Sequence, residues 1–135
     1  MSDRDDFVQW VETRLIPAER ALHDGDAAPR FAIWTESEPV TVLGAWKNAS
    51  NQDELRPLFR ELAADFSDCR SYSLELLLAA VLGDVAYTLA LEHIQTSIRA
   101  EPRNFTLRVT QIYRREAGEW RVCHRHADTV TSTAG

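Results

Sequence analysis

The 135-residue sequence predicts an α+β domain in which three N-terminal helices cover one face of a mainly antiparallel sheet. Two observations carry the prediction. Apolar residues keep helical spacing as far as Phe66, and the clearest stripe is Leu55, Leu58, Phe59, Leu62 and Phe66. From Ser71 onward the texture changes to four long strand-like runs at 71–82, 85–98, 104–115 and 119–128. The length fits a single domain spanning residues 1–135, with its core at about 5–128 and a flexible tail over 129–135.

Ser2 followed by Asp5 forms a capping-box pattern. Behind it Phe7, Val11, Leu15, Ala18 and Leu22 make residues 3–24 an amphipathic helix, and Pro17 should kink it because it removes a backbone donor. Gly25 ends that helix. Asp26 caps a second one running to Trp34, which buries Phe31 and Trp34. Residues 40–43 are β-branched enough for a short strand. Ser50 to Asp53 opens the third helix, where Pro57 fits only if the regular helix starts late. Gly83-Asp84 suits a two-residue type II′ hairpin loop, which sets Glu75 opposite Glu92. The sequence leaves open which face of strand 85–98 points inward, and whether that carboxylate pair interacts.

The last hairpin decides where the polar C-terminal side chains go. In Arg115-Glu116-Ala117-Gly118-Glu119-Trp120, a two-residue loop would force Ala117 to positive φ, whereas a three-residue loop asks this only of Gly118. The three-residue loop is therefore expected. It pairs Arg115 with Glu119, Thr110 with His124 and Arg108 with His126. Arg108, Thr110, Ile112, Trp120, Val122, His124 and His126 then share the helix-covered face. Val109, Tyr113 and Cys123 would point outward and offer a homodimer surface.

Composition narrows the function. A net charge of −6 argues against nucleic acid as a partner. No apolar run reaches the ~20 residues of a membrane span. The acidic start Met1–Asp6 is unlike a secretory signal, so a cytoplasmic location is the expectation. Cys69 and Cys123 have neither disulfide-framework nor metal-site spacing. No phosphate loop, nucleophile elbow or Cys–His signature occurs. His124-x-His126, with Glu92 as a third ligand, has chelating spacing, but a hydrogen-bonded wall is the preferred reading, with no metal and no cofactor. His126, His124 and Glu92 are the candidates for proton transfer, although Arg108 opposite His126 would lower that imidazole's pKa.

Leu107-Arg108-Val109-Thr110 and the run Tyr113 to Asp128, with its Gly118-Glu119-Trp120 hairpin and His124-Arg125-His126 ending, resemble the SnoaL-like family of the nuclear transport factor 2-like superfamily. Gly25-Asp26, Trp34 and Gly83-Asp84-Val85-Ala86 are similar to the same family's punctuation. The resemblance implies three N-terminal helices packed on a strongly curved, mainly antiparallel sheet, cone-shaped with an internal apolar cavity, and a homodimer. It implies no single function, because relatives include polyketide cyclases, ketosteroid isomerases, dehydratases, epoxide hydrolases and non-catalytic association domains. The isomerase oxyanion Tyr and Asp base would fall on Ala18 and Val42, so steroid isomerisation is not expected. The expected function is binding of a small apolar or aromatic metabolite, by an isomerase, cyclase or hydrolase. A non-catalytic dimerisation or ligand-binding module is the alternative. The expected cavity is lined by Trp34, Arg108, Thr110, His124 and His126. Trp46 and Lys47 lie beside a loop that could edge its mouth, which the sequence does not establish.

Overall fold

The computed structural model describes residues 2–130. The first helix starts where its cap predicts: Ser2 Oγ accepts from the Asp5 N–H, and Asp5 in turn accepts from the Ser2 N–H. It continues as α1 (Asp3–Trp10), a π-helical turn (Val11–Leu15) and α2 (Ile16–Leu22), without leaving helical backbone angles at the junctions. The expected kink at Pro17 is instead this π-turn. The wider turn lets the Ile16 N–H reach back to the Val11 carbonyl and so accommodates a residue that cannot donate. The predicted stripe holds, since Phe7, Val11, Leu15, Ala18 and Leu22 are all buried.

Helix α3 (Ala28–Ile33) begins with the Ala28 N–H donating to Asp26. It stops one residue before Trp34, which bridges to Val122 of the sheet. Helix α4 (Gln52–Asp65) is capped by Asn51, buries Leu55, Leu58 and Phe59, and contains Pro57 within it. Phe66, the end of the apolar stripe, is already the first residue of a strand.

The strands are β1 (Thr41–Leu43), β2 (Asn48–Ala49), β3 (Phe66–Leu82), β4 (Val85–Ile98), β5 (Glu101–Glu116) and β6 (Glu119–Thr129). They form one curved sheet in the order β2-β1-β6-β5-β4-β3, antiparallel except where β1 runs parallel to β6. Thr129 still pairs with Leu107 and the Val130 N–H donates to the Thr106 carbonyl, while the remainder of the expected flexible tail, 131–135, lies outside the described residues.

The sheet departs from the expected register in two places. The β3–β4 turn has Gly83 at φ 62°, as a type II′ loop requires. A bulge between Leu76 and Leu78 then shifts the pairing, so Glu92 faces Leu74 and Glu75 faces Leu91. Glu75 and Glu92 are therefore not opposite one another. Glu92 points into the core, and Glu75 reaches His93 on the outer face.

The β5–β6 loop has two residues, not three. Glu116 pairs with Glu119 and Arg115 with Trp120, while Ala117 takes φ 51° and Gly118 φ 80°. The penalty at Ala117 is accepted because this register puts Tyr113, Trp120 and Val122 under the helices, where Phe7 meets both Tyr113 and Trp120 edge-to-face. A second bulge follows: Tyr113 pairs with Val122, but Ile112 pairs with His124. The extra residue, Cys123, reverses the alternation of β6. Beyond it Arg125 and Ala127 point inward, and His124 and His126 point outward. Thr110 consequently pairs with His126, and Arg108 with Asp128. Val109, Tyr113 and Cys123, expected outward, are buried.

Candidate functional site

The inward-facing polar side chains converge beneath the helices. From the helical layer come Glu19 on α2, His23 just past its end, and Arg30 on α3. From the sheet come Tyr72, Thr88, Glu92, Gln111, Tyr113 and Arg125, and all of these are buried. Arg30 grips both carboxylate oxygens of Glu19, through Nε at 3.1 Å and through Nη2. Arg125 does the same to Glu92, with Nη2 to Oε1 at 2.6 Å, and also donates to Gln111 at 3.1 Å. Tyr72 donates to Glu92 at 2.5 Å. Gln111 donates to the Tyr113 hydroxyl, which meets Thr88 Oγ1, both at 2.8 Å. Buried charges are tolerable only when paired and hydrogen-bonded, and here each carboxylate has its own guanidinium.

The pKa shifts follow from this arrangement. Burial alone would raise the Glu92 carboxyl, but the Arg125 charge and its hydrogen bonds override that and hold it below the usual carboxylate range. Burial pushes the Tyr72 hydroxyl well above its ordinary value, and the Glu92 charge adds to the effect. Burial also pushes the Tyr113 hydroxyl up. His23 is lowered, because the cost of burying an imidazolium outweighs the pull of Glu92 and Glu19. The His23 imidazole is therefore neutral at pH 7. Its Nδ1 lies 2.7 Å from the Glu19 carbonyl, which can only accept, so Nδ1 carries the proton and Nε2 keeps the lone pair. Among the described residues nothing hydrogen-bonds to that Nε2.

His23, Arg30 and Arg125 line a pocket of about 40 Å³ together with Leu22, Val42 and Leu107. Toward solvent this pocket is bounded by Trp46, Lys47, Leu62 and Phe66. The same four residues line an outer groove of about 580 Å³ that extends over Phe105, Arg99 and Arg103. Trp46 stands half-exposed on the tight β1–β2 turn, edge-to-face with Phe105 at 5.4 Å. The turn is tight because the Gly44 N–H donates to the Lys47 carbonyl, and a Cβ at Gly44 would lie 2.4 Å from that oxygen.

The residues expected to line a cavity are distributed differently. Trp34 is buried against Phe59, and its Nε1 has no acceptor among the described residues. It borders a separate small cleft with Arg56 and Arg60 rather than the His23 pocket. Arg108 lies on the outer sheet face, paired with Asp128. Thr110 and His126 sit on that face too, and His124 bonds Thr41 Oγ1 at 2.6 Å. Burial and the neighbouring His126 lower the His124 pKa. Because Glu92 is on the opposite face from both histidines, the three cannot share a metal. Of the proton-transfer candidates only Glu92 reaches the interior, where its oxygens are already occupied. Sequence reasoning missed His23, Arg30 and Arg125. A signal for the first was present: Leu15, Glu19 and His23 follow at four-residue spacing along the buried stripe. For Arg125 the signal was hidden by the bulge at Cys123, and Arg30 had none.

A family model described as a SnoaL-like domain matches residues 11–131. No curated protein matches the chain. Among solved structures, a ketosteroid isomerase-like protein from Erwinia carotovora atroseptica is similar at 12% identity, with a TM-score of 0.78 over 98% of this chain and 100% of that one. A candidate dehydratase of the nuclear transport factor 2-like family from Streptomyces avermitilis matches at 19% identity and TM-score 0.75, over 95% and 99% of the two chains. A candidate calcium/calmodulin-dependent protein kinase type II association domain from Thiobacillus denitrificans matches at 20% identity and TM-score 0.70, over 91% and 94%. At these identities the likeness establishes the fold.

Proposed function

Because this chain belongs to the SnoaL-like domain family, we propose that it binds a small metabolite with an apolar or aromatic body and that His23 transfers a proton on it. One observation carries this reading: a neutral imidazole, its tautomer set by the Glu19 carbonyl, borders a pocket whose wall also holds the guanidiniums of Arg30 and Arg125. Such a set suits proton abstraction next to a carbonyl. His23 Nε2 takes the C–H proton, the electron pair moves onto the carbonyl oxygen, and the guanidinium N–H groups stabilise the enolate that forms. Where a carbon–carbon double bond is conjugated with the enolate, return of the proton from the imidazolium to the far carbon of that system completes an isomerisation. Its delivery to a departing hydroxyl completes a dehydration. The ketosteroid isomerase-like and candidate dehydratase neighbours support this class of chemistry.

The test is exchange of carbon-bound hydrogen in D2O, followed by NMR over a panel of open-chain aryl ketones that begins with phenylacetone, whose carbonyl is not part of a ring. Wild-type protein should accelerate deuterium incorporation into at least one of them, and His23→Gln should lose about 10²-fold or more of that acceleration while keeping its melting temperature. Undiminished exchange in His23→Gln would remove His23 from the chemistry.

A second reading, a homodimer through the outer sheet face, rests on a different observation. Leu77, Leu89 and Ile112 are each more than one-third exposed there, on a sheet face that no helix covers among the described residues. This reading is compatible with the first, and it would stand alone if the protein is a non-catalytic module.

A further inference from the structure

The charged residues that line the inner pocket are all cationic: Arg30, Arg125 and Lys47 border it, and no aspartate or glutamate does among the described residues. This is local, because the whole chain carries a net charge of −6. The compensating carboxylates stand behind the wall or outside it. Glu19 and Glu92 are fully buried on the far side of their arginines, and Glu61 pairs with Lys47 at the exposed rim.

The two inner arginines are not used up by those pairs. A guanidinium has five N–H donors. Arg30 commits two of them to Glu19, through Nε and Nη2, and among the described residues Nη1 has no acceptor. Arg125 commits Nη1 and one Nη2 hydrogen to Glu92 and Gln111, which leaves Nε–H and the second Nη2 hydrogen. Pinned from behind by the carboxylates, both groups have little freedom left to lose on meeting a ligand. A pocket of about 40 Å³ holds only a few water molecules, since each needs about 10–15 Å³. That is the size of a three-atom head group and far too small for a ring, whereas the adjoining groove has the room and the aromatic walls for one.

We propose that the ligand is a carboxylic acid, bound with its carboxylate between Arg30, Arg125 and Lys47 in the inner pocket and its aromatic or apolar body in the groove against Trp46, Phe66 and Phe105. This rests on the reading of the same pocket given above and names its head group: the carboxyl group takes the place of the carbonyl between the two guanidiniums, with the adjacent C–H bond facing His23. A planar carboxylate matches the fork of a guanidinium, and charge-assisted hydrogen bonds of this kind separate an acid from its amide far better than apolar contact does.

The experiment compares phenylacetate with the near-isosteric neutral phenylacetamide, and with inorganic phosphate as a head group lacking a body. Binding is followed by titration calorimetry and ligand-observed NMR at pH 7. The acid is expected to bind at least about tenfold more tightly than the amide and than phosphate. Lys47→Met, a rim substitution away from the buried pairs, should cut that preference several-fold without lowering the melting temperature. The double variant Arg125→Met/Glu92→Met, which removes a charge pair rather than stranding one partner, should abolish it. Equal binding of acid and amide overturns the proposal, as does no binding of the acid at millimolar concentration. Binding of phosphate as tight as that of the acid also overturns it, by showing a site for any anion. Failure of the proton-transfer reading is separable from these outcomes: His23→Gln would then leave exchange unchanged, while acid selectivity depends on the cationic residues alone.

Discussion

Replacing Glu92 by Gln tests the energetics of the buried network most directly. The carboxylate is 1% exposed and Arg125 is 5% exposed, so water cannot take over when either partner changes. In Glu92→Gln the amide oxygen can still accept from Tyr72, but the Arg125 guanidinium keeps its charge and loses its counter-charge. Leaving one buried ion of a pair costs about 3–5 kcal/mol. With a urea m-value of about 2 kcal/mol per molar, the unfolding midpoint should fall by about 1.5–2.5 M at unchanged m. The double variant Glu92→Met/Arg125→Met should recover at least about 1 kcal/mol of that loss. It will not recover all of it, because Tyr72 is left without an acceptor and Gln111 without a donor. Acid adds a second signature. The Glu92 carboxyl is held below its ordinary value of 4.5, down to about 2, because Arg125 prevails over the upward push of burial. A depressed folded pKa contributes stability that is fully present above the unfolded value and is lost as the pH falls from about 4.5 toward about 2. Wild type should therefore lose stability across that window, and Glu92→Gln should show a flatter acid limb. A loss below about 1 kcal/mol in the single variant, or a double variant no better than the single, would refute the reasoning.

Two further outcomes are expected. Ala117→Asn should raise the unfolding free energy by about 0.5–1 kcal/mol, read as a higher urea midpoint at unchanged m, because Ala117 sits at φ 51° in a two-residue hairpin loop whose preferred sequence is Asn-Gly; an unchanged midpoint would mean that the loop carries no strain. For the outer sheet face, light scattering at micromolar concentration should find a dimer in wild type and a monomer in Leu89→Arg, and a monomeric wild type would end the pairing proposal.

The sequence by itself determined the class of the fold and the elements that build it. Helical spacing from Phe7 to Leu22 and from Leu55 to Phe59 named the residues that the structure buries, and a local cap placed the first helix. These are short-range properties, carried by side-chain period and by hydrogen bonds between neighbours in the chain. The tertiary structure decided the register, and through it the pocket. Whether Ala117 accepts positive φ depends on what the alternative register would leave unburied: Tyr113 and Trp120 against Phe7 are worth more than one strained residue. The bulge at Cys123 is likewise set by β6 packing against β5 and β1, and it exchanges His124 and His126 for Arg125 on the inner face. In a strand one inserted residue reverses every side chain beyond it, so a polar site built on such a strand can be assigned only after the cross-strand partners are known.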